Sequence, residues 1–323
     1  MLSNITPHSP LPTPYSPLTS LHTHTVFCDG KDDVETMCRT AYAKGLAAIG
    51  FSSHAPMPGL ISHWHMEDKR LGEYIAEVHA ARQRWEGKIA VYLGLEVDYA
   101  KGLRSALDRD IQSLNLDCLR RTEGSETNTL PKQEPVRVLD YSIGSVHYVI
   151  PPHGDPFTVD GPAERVEGEI AAGFAGSGEA MMHTYWDAVL EMIALGGFDI
   201  IGHLDLVKKN NTAGRLFNIE TEYMQRVEEV ARAVSSGGFV VEVNTGGLNR
   251  GYITETYPSP EILRLLHQHN VPVMITADAH NANDLDGHYP DACQTLLGAG
   301  YTSHVVFAGR SGGKPQWREQ ALA

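Results

Sequence analysis

Short apolar runs recur along the chain, separated by amphipathic stretches of helical character, and this alternation restricts the fold more than any other feature. The runs fall at Leu21–Val26, Leu46–Ser52, Ile89–Leu95, Asp140–Val146, Phe198–Gly202, Gly238–Asn244 and Val271–Thr276, with a short one at His304–Phe307. Between them, Asp32 and Asp33 precede a helical pattern ending at Gly45, and further helices are expected over Glu67–Trp85, Leu103–Leu114, Met181–Leu195, Asn218–Ser235 and from Ser259 to His267. Roughly seven or eight buried strands alternating with helices predict a parallel (β/α) barrel. Residues 1–20, with Pro7, Pro10, Pro12, Pro14 and Pro17, read as a loose arm without the basic and apolar regions of a secretory signal. No fixed repeat and no linker divides the rest of the chain, so residues 21–323 are expected to form a single domain. Arg120–Arg137 reads as a polar surface insertion. The Gly- and Pro-rich stretch Pro151–Gly178 reads as a long functional loop or lid.

A hydrophobic content of 42% allows a substantial core, and no run of about 18 apolar residues is present to span a membrane. Cys28, Cys38, Cys118 and Cys293 are scattered, which suits a reducing compartment and argues against a thiolate metal site. A net charge of −14 disfavours a protein that tracks along nucleic acid. It leaves room for a small phosphorylated substrate whose charge is met locally by cations.

The 16 histidines point to metal, and their placement does so more strongly. His22 and His24 alternate along one strand and so share a face. Asp29 follows in the next loop. His54, Glu96, His147, His203, Asp278 and His280 each fall at or just past the end of a predicted strand. In a (β/α) barrel those ends share one rim, where active sites are built. Any one of these residues is as readily a hydrogen-bonded core histidine or a capping carboxylate. Their convergence on one rim is explained by two or three divalent cations, with Zn, Mn or Fe suited to imidazole and carboxylate together. Glu96 is placed to bridge two of them. His63 and His65 match the same pattern but sit in a loop, and are expected to be non-ligands that line the pocket at most. His8, His79, His267 and His269 fall on the arm or on helices, where exposed structural roles are expected.

The chain resembles the PHP (polymerase and histidinol phosphatase) superfamily, in particular its histidinol-phosphatase branch. The resemblance is carried by Leu21–Thr25, Phe51–Pro56, Gly94–Glu96, Gly144–His147, Ile201–Asp205, Glu242–Thr245 and Ala277–His280, and for the branch by His54-Ala55-Pro56, His203–Lys208, Asn244–Leu248 and Tyr257–Pro260. It implies a distorted (β/α)7 barrel, TIM-barrel-like, with surface insertions and a trinuclear centre. His22, His24, Glu96 and Asp278 would hold one metal; Glu96, His147 and His203 a second; Asp29, His54 and His280 a third. Asp29 stands where some relatives use a histidine. Relatives carry Arg directly after Gly-Leu in the Asn-Thr motif; here Asn249 stands there and Arg250 follows.

The activity implied is hydrolysis of L-histidinol phosphate to L-histidinol and phosphate, in histidine biosynthesis and in the cytoplasm. Arg250, Lys208 and Asn244 are the substrate-binding candidates, Asp278 and His203 the proton carriers, and Asp205 a residue that orients a ligand. Alternatives are another PHP phosphoesterase acting on nucleotides or nucleic-acid ends, a catalytically silent metal-binding or interaction protein, and a metal-dependent amidohydrolase.

Overall fold

The computed structural model describes residues 18–57, 62–102 and 138–322. Residues 1–17 of the arm expected over 1–20, the helix at 103–114 and the insertion at 120–137 lie outside them, as do Cys118 and His8; Thr19 and Ser20, expected to end the arm, are instead a buried strand paired with Ala48 and Ile49.

Two parallel sheets carry the architecture. One runs β1 (Thr19–Ser20), β2 (Ala48–Phe51), β3 (Ala90–Leu93). The other contains β4 (Glu96–Asp98), β5 (Ile143–Ser145), β8 (Ile200–Ile201), β9 (Val240–Asn244) and β10 (Val273–Thr276), in the order β10-β9-β8-β5-β4. Gly94 and Leu95 interrupt one chain path between β3 and β4, so these two make a single broken strand. A bridge between His54 and Glu96 joins the sheets on one side. On the other, His24 N donates to Ala279 O at 2.8 Å and Ala279 N to His22 O at 3.0 Å. Counting β3 and β4 together, β1, β2, β3/β4, β5, β8, β9 and β10 close a ring of seven parallel strands among the described residues. This is the distorted (β/α)7 barrel, and the breaks at Gly94–Leu95 and before Thr23 are its distortion.

Helices cover the outside, as a fully parallel sheet requires. They are α1 (Val34–Ala43), α2 (Leu71–Arg84), α3 (Ala163–Gly173), α4 (Gly178–Leu195), α5 (Thr221–Gly237), α7 (Pro260–Gln268) and α8 (Tyr289–Ala299), while the one-turn α6 (Gly246–Asn249) sits at the barrel mouth. Asp33 caps α1 by accepting from Thr36 N at 2.7 Å, and Ser177 caps α4 by accepting from Ala180 N at 3.1 Å. Ser259 precedes α7 as expected, but its side chain makes no cap bond. The stretch 151–178 is not the continuous loop expected: it forms the short hairpin β6 (Tyr148–Val149) with β7 (Phe157–Thr158), then α3, which buries Val166 and Ile170. Their i, i+4 spacing gives the helix an apolar face despite the glycines.

The barrel interior is filled at its lower end by Leu21, Tyr141, Ile143, Ile200, Val240 and Met274, all near strand starts. Tyr141 lies so close to the backbone that a Cβ at Gly50 would sit 2.5 Å from its hydroxyl, and one at Gly94 2.5 Å from its ring. The expected short C-terminal strand is instead a long hairpin, β11 (Ser303–Ser311) with β12 (Lys314–Ala321). Val305 and Phe307 press from it into the same interior cluster and stopper the lower mouth. No described helix is long and apolar enough to cross a membrane.

Candidate metal centre

The site stands at the opposite mouth, just past the strand ends. Beyond β1 the chain stays extended, so His22 and His24 point the same way, their rings 5.1 Å apart. His22 is fixed from behind: its Nδ1 donates to Glu242 Oε2 at 2.7 Å, which leaves Nε2 facing the centre. Glu242 also accepts from Thr276 Oγ1 at 2.9 Å, from Asn244 Nδ2 at 2.8 Å and from the backbone N of His203 at 2.5 Å. One buried carboxylate thus sets both a ring orientation and the backbone at the next strand end.

Glu96, only 1% exposed, is the hub. Its Oε2 lies 3.2 Å from His22 Nε2, 3.5 Å from His24 Nε2 and 3.0 Å from His54 Nδ1. Its Oε1 lies 2.9 Å from His203 Nε2 and 3.9 Å from His147 Nε2, and accepts from Ser145 Oγ at 2.6 Å. Asp278 approaches from β10, with Oδ1 3.2 Å from His24 Nε2 and 3.7 Å from His22 Nε2. Its backbone is left-handed at φ 47°, a strained state for a non-glycine residue that is held here by the barrel end. Asp29 reaches His280 Nε2 at 3.3 Å, His24 Nδ1 at 3.6 Å and His54 Nε2 at 3.8 Å.

Three sets of ligand atoms result, each within 4.8 Å: His22, His24 and Glu96; Glu96, His147 and His203; His24, Asp29, His54 and His280. Buried polar atoms normally find partners. Here His22 Nε2, His24 Nε2, His54 Nδ1, Glu96 Oε2 and His203 Nδ1 have no hydrogen-bond partner among the described residues. Four of these, all but His203 Nδ1, face one another across the site. Buried oxygen and imidazole donors left without hydrogen-bond partners are what a divalent cation needs, so the donor set fits metal.

The electrostatics agree. Burial alone would lower the His22 pKa, but the carboxylates of Glu242, Glu96 and Asp278 outweigh it and hold it well above the ordinary value. His147, buried beside Asp98 and near Glu96, is pushed up to about 10. His54, where burial wins, is held well below the usual range. Glu96 resists its burial chiefly through the His22 charge, helped by its bond to His203, and stays well below an ordinary carboxylate. The field is anionic and collects positive charge; a cation entering it displaces the ring protons.

Above the cluster lies a cavity of about 390 Å³, lined by Asp29, His54, Glu96, His147, His203, Asp278 and His280 below and by Trp64, Asp160, Arg165, Lys209, Arg250 and Tyr252 around its wall. A family model for the PHP domain matches residues 20–246. The chain belongs to the PHP family. Among PHP relatives, it is 27% identical over 282 residues to a Deinococcus radiodurans protein named "Probable histidinol-phosphatase", covering 86% of this chain and 92% of that one. It is 26% identical over 282 residues to the "Histidinol-phosphatase" of Bacillus subtilis (strain 168), covering 83% and 95%. In fold it resembles a candidate histidinol phosphatase of Listeria monocytogenes (TM-score 0.68, 22% identity, covering 84% of this chain and 99% of that one). It also resembles the Lactococcus lactis histidinol phosphate phosphatase complexed with zinc, L-histidinol and phosphate (TM-score 0.59, 19% identity, 93% and 99%).

Within this PHP site the structure separates the residues expected around the metals. Arg250 lines the cavity although it stands one position late, as the residue capping α6. Its Nη2 donates to Asp278 Oδ2 at 3.0 Å and its Nη1 to His280 Nδ1 at 2.9 Å. Asn249 turns away, donating to Ala277 O at 3.1 Å and filling the space where a Cβ on Gly287 would sit. Lys208 is not on the cavity wall. It is spent on Asp205 at 2.9 Å and Glu255 at 2.7 Å, and its neighbour Lys209 lines the cavity instead. Asn244 is also off the wall; besides holding Glu242 it accepts from Gly246 N at 2.8 Å. Asp205 orients no ligand: it accepts from Ser259 N at 3.0 Å and pairs with Lys208. The orienting carboxylates are Glu242 and Asp98, neither of them singled out for that role from the sequence. Asp98 lies two residues after Glu96 on β4, so strand alternation puts both on one face, a signal that was available.

Proposed function

We propose that this PHP chain hydrolyses L-histidinol phosphate to L-histidinol and phosphate, with two or three divalent cations, zinc, manganese or iron, held at the upper rim. The observation that carries the reading is Glu96, whose two oxygens face five imidazoles and whose Oε2 is left unpartnered in a buried site beneath a cationic wall. His22, His24, Glu96 and Asp278 would hold one cation, Glu96, His147 and His203 a second, and Asp29, His54 and His280, with His24 adjoining, a third. Cations bound there supply Lewis-acid charge to phosphoryl oxygens and acidify a water.

The chain's own residues do the rest. Arg250 is anchored by Asp278 and His280, and would meet the charge that develops on the phosphoryl oxygens, joined by Lys209. Asp278 is buried, yet the charges of Arg250 and His22 keep it ionised; so weak a base takes a proton only from an already acidified water, and as a strong acid it returns that proton readily to the leaving alkoxide. His203, at 2.9 Å from Glu96, is the second proton carrier. A cavity of about 390 Å³ fits a small ester rather than a polymer. The names of the relatives support the substrate, and with it a place in histidine biosynthesis in the cytoplasm.

The test is phosphate release from L-histidinol phosphate against a panel of nucleoside monophosphates, with metal content recorded. Preferred turnover of L-histidinol phosphate by metal-loaded protein is expected. Preferred turnover of nucleotides, or none with metal bound, overturns the reading.

A further inference from the structure

His147 is tied to the pocket wall by a chain of hydrogen bonds. Its Nδ1 donates to Asp98 Oδ1 at 2.5 Å. The other carboxylate oxygen, Oδ2, accepts from His65 Nε2 at 2.6 Å. The far side of the His65 ring meets Ser62 Oγ, which also accepts from the His65 backbone N at 3.1 Å. Asp98 is buried and, against that burial, held ionised by the two rings. One carboxylate therefore clamps two imidazoles in fixed tautomers. One of them belongs to the candidate cation site; the other sits in the loop that carries Trp64. The His65 ring stacks on the Trp64 indole with centroids 3.8 Å apart. Trp64 in turn stacks with Tyr148 at 5.7 Å and meets the edges of His54 at 4.4 Å and His147 at 5.0 Å. The aromatic wall and the cation site thus share one set of fasteners.

We propose that His65 is a positioning residue: with Asp98 it locks the Trp64 wall onto His147, so that filling the Glu96–His147–His203 site and shaping the pocket for the aromatic end of its substrate are one coupled event. Only the kinetic arm of the test rests on the histidinol phosphate reading. A ring held by a charge-assisted bond to Asp98 at one end and by the Ser62 hydroxyl at the other has one orientation; release His65 and Trp64 loses the surface it stacks on. Outer residues of this kind usually change metal affinity or activity by about 10–100-fold when lost.

Zinc is titrated into metal-stripped full-length protein while tryptophan fluorescence is read, in wild type and in Trp64→Phe, His65→Leu, His65→Gln and Ser62→Ala. Wild type is expected to show a zinc-dependent change that Trp64→Phe lacks. His65→Leu should lose that change and bind zinc about tenfold more weakly, while His65→Gln, whose amide still donates to Asp98, restores much of it. Ser62→Ala leaves the ring in place and should move the titration midpoint severalfold in the same direction. In the kinetic arm, His65→Leu should raise KM for L-histidinol phosphate about tenfold, with a much smaller effect on O-phosphoethanolamine, which has no aromatic end. A wild-type zinc response in His65→Leu overturns the coupling, as does an unmoved midpoint in Ser62→Ala should His65→Leu fail to fold. Equal losses on both esters overturn the role of the wall. If wild type leaves L-histidinol phosphate untouched but the fluorescence series behaves as stated, the substrate reading fails and the coupling stands.

Discussion

The Nδ1 of His22 donates to Glu242 Oε2 across 2.7 Å, with both side chains fully shut away from water. Glu242 is not on the cavity wall; its effect is to decide which nitrogen His22 turns to the centre. Replacing it with Gln keeps the shape but removes the charge that holds His22 in that tautomer. Glu242→Gln is expected to lower metal affinity about 10–100-fold, measured as metal retained against a chelator of known strength. Retention equal to wild type would show that His22 needs no such partner.

Glu96 touches all three ligand sets through its own oxygens or through His24 and His54. Glu96→Ala should therefore lose metal and phosphatase activity together, rather than one before the other. Full activity in the metal-stripped variant would rule out the mechanism.

The Asp98–His147 pair makes the metal-free protein pH-sensitive in a defined direction. His147 rises from about 6.5 unfolded to about 10 folded, so the folded state binds its proton more tightly. That stabilisation is fully present below about pH 6.5 and is lost as pH climbs toward 10. Thermal melts of metal-stripped protein should show Tm declining across that window. Zinc, which takes the proton's place on the ring, should flatten the decline, and a parallel decline with zinc bound would contradict this account.

Lys208 and Lys209 are adjacent yet opposite in use. Lys208→Met strips Asp205 of its counter-charge in a buried position and is expected to cost roughly 2–4 kcal/mol of stability with little change in KM. Lys209→Met, which loses a bond to the Asp160 carbonyl at 2.5 Å but strands no buried charge, should cost less stability than Lys208→Met and raise KM severalfold. The contrast is read by pairing denaturant melts with steady-state kinetics on both variants; interchanged effects would refute it.

The rim was legible because most of the apolar runs lead into a His, Asp or Glu, and a parallel barrel gathers such ends at one mouth. That logic located Glu96, His147, His203 and Asp278 without knowledge of their partners. It missed Glu242 because that residue lies within an apolar run, where a carboxylate shows its role only once His22 and Thr276 are seen against it. It chose Lys208 over Lys209 because both lie beside the rim. A 3-10 turn at Leu206–Lys208 rotates successive side chains by about a third of a circle, and only coordinates show which one faces inward. The helix Ala163–Gly173 was hidden by flanking Gly and Pro, though Val166 and Ile170 carried its spacing.

The hairpin that fills the lower mouth with Val305 and Phe307 has a bearing on traffic. Among the described residues the floor is closed, and the incoming ester, the departing alcohol and the freed phosphate share the doorway past Trp64 and Arg250. Turnover then requires both products to clear that passage before the next molecule enters, and a lingering anion blocks it.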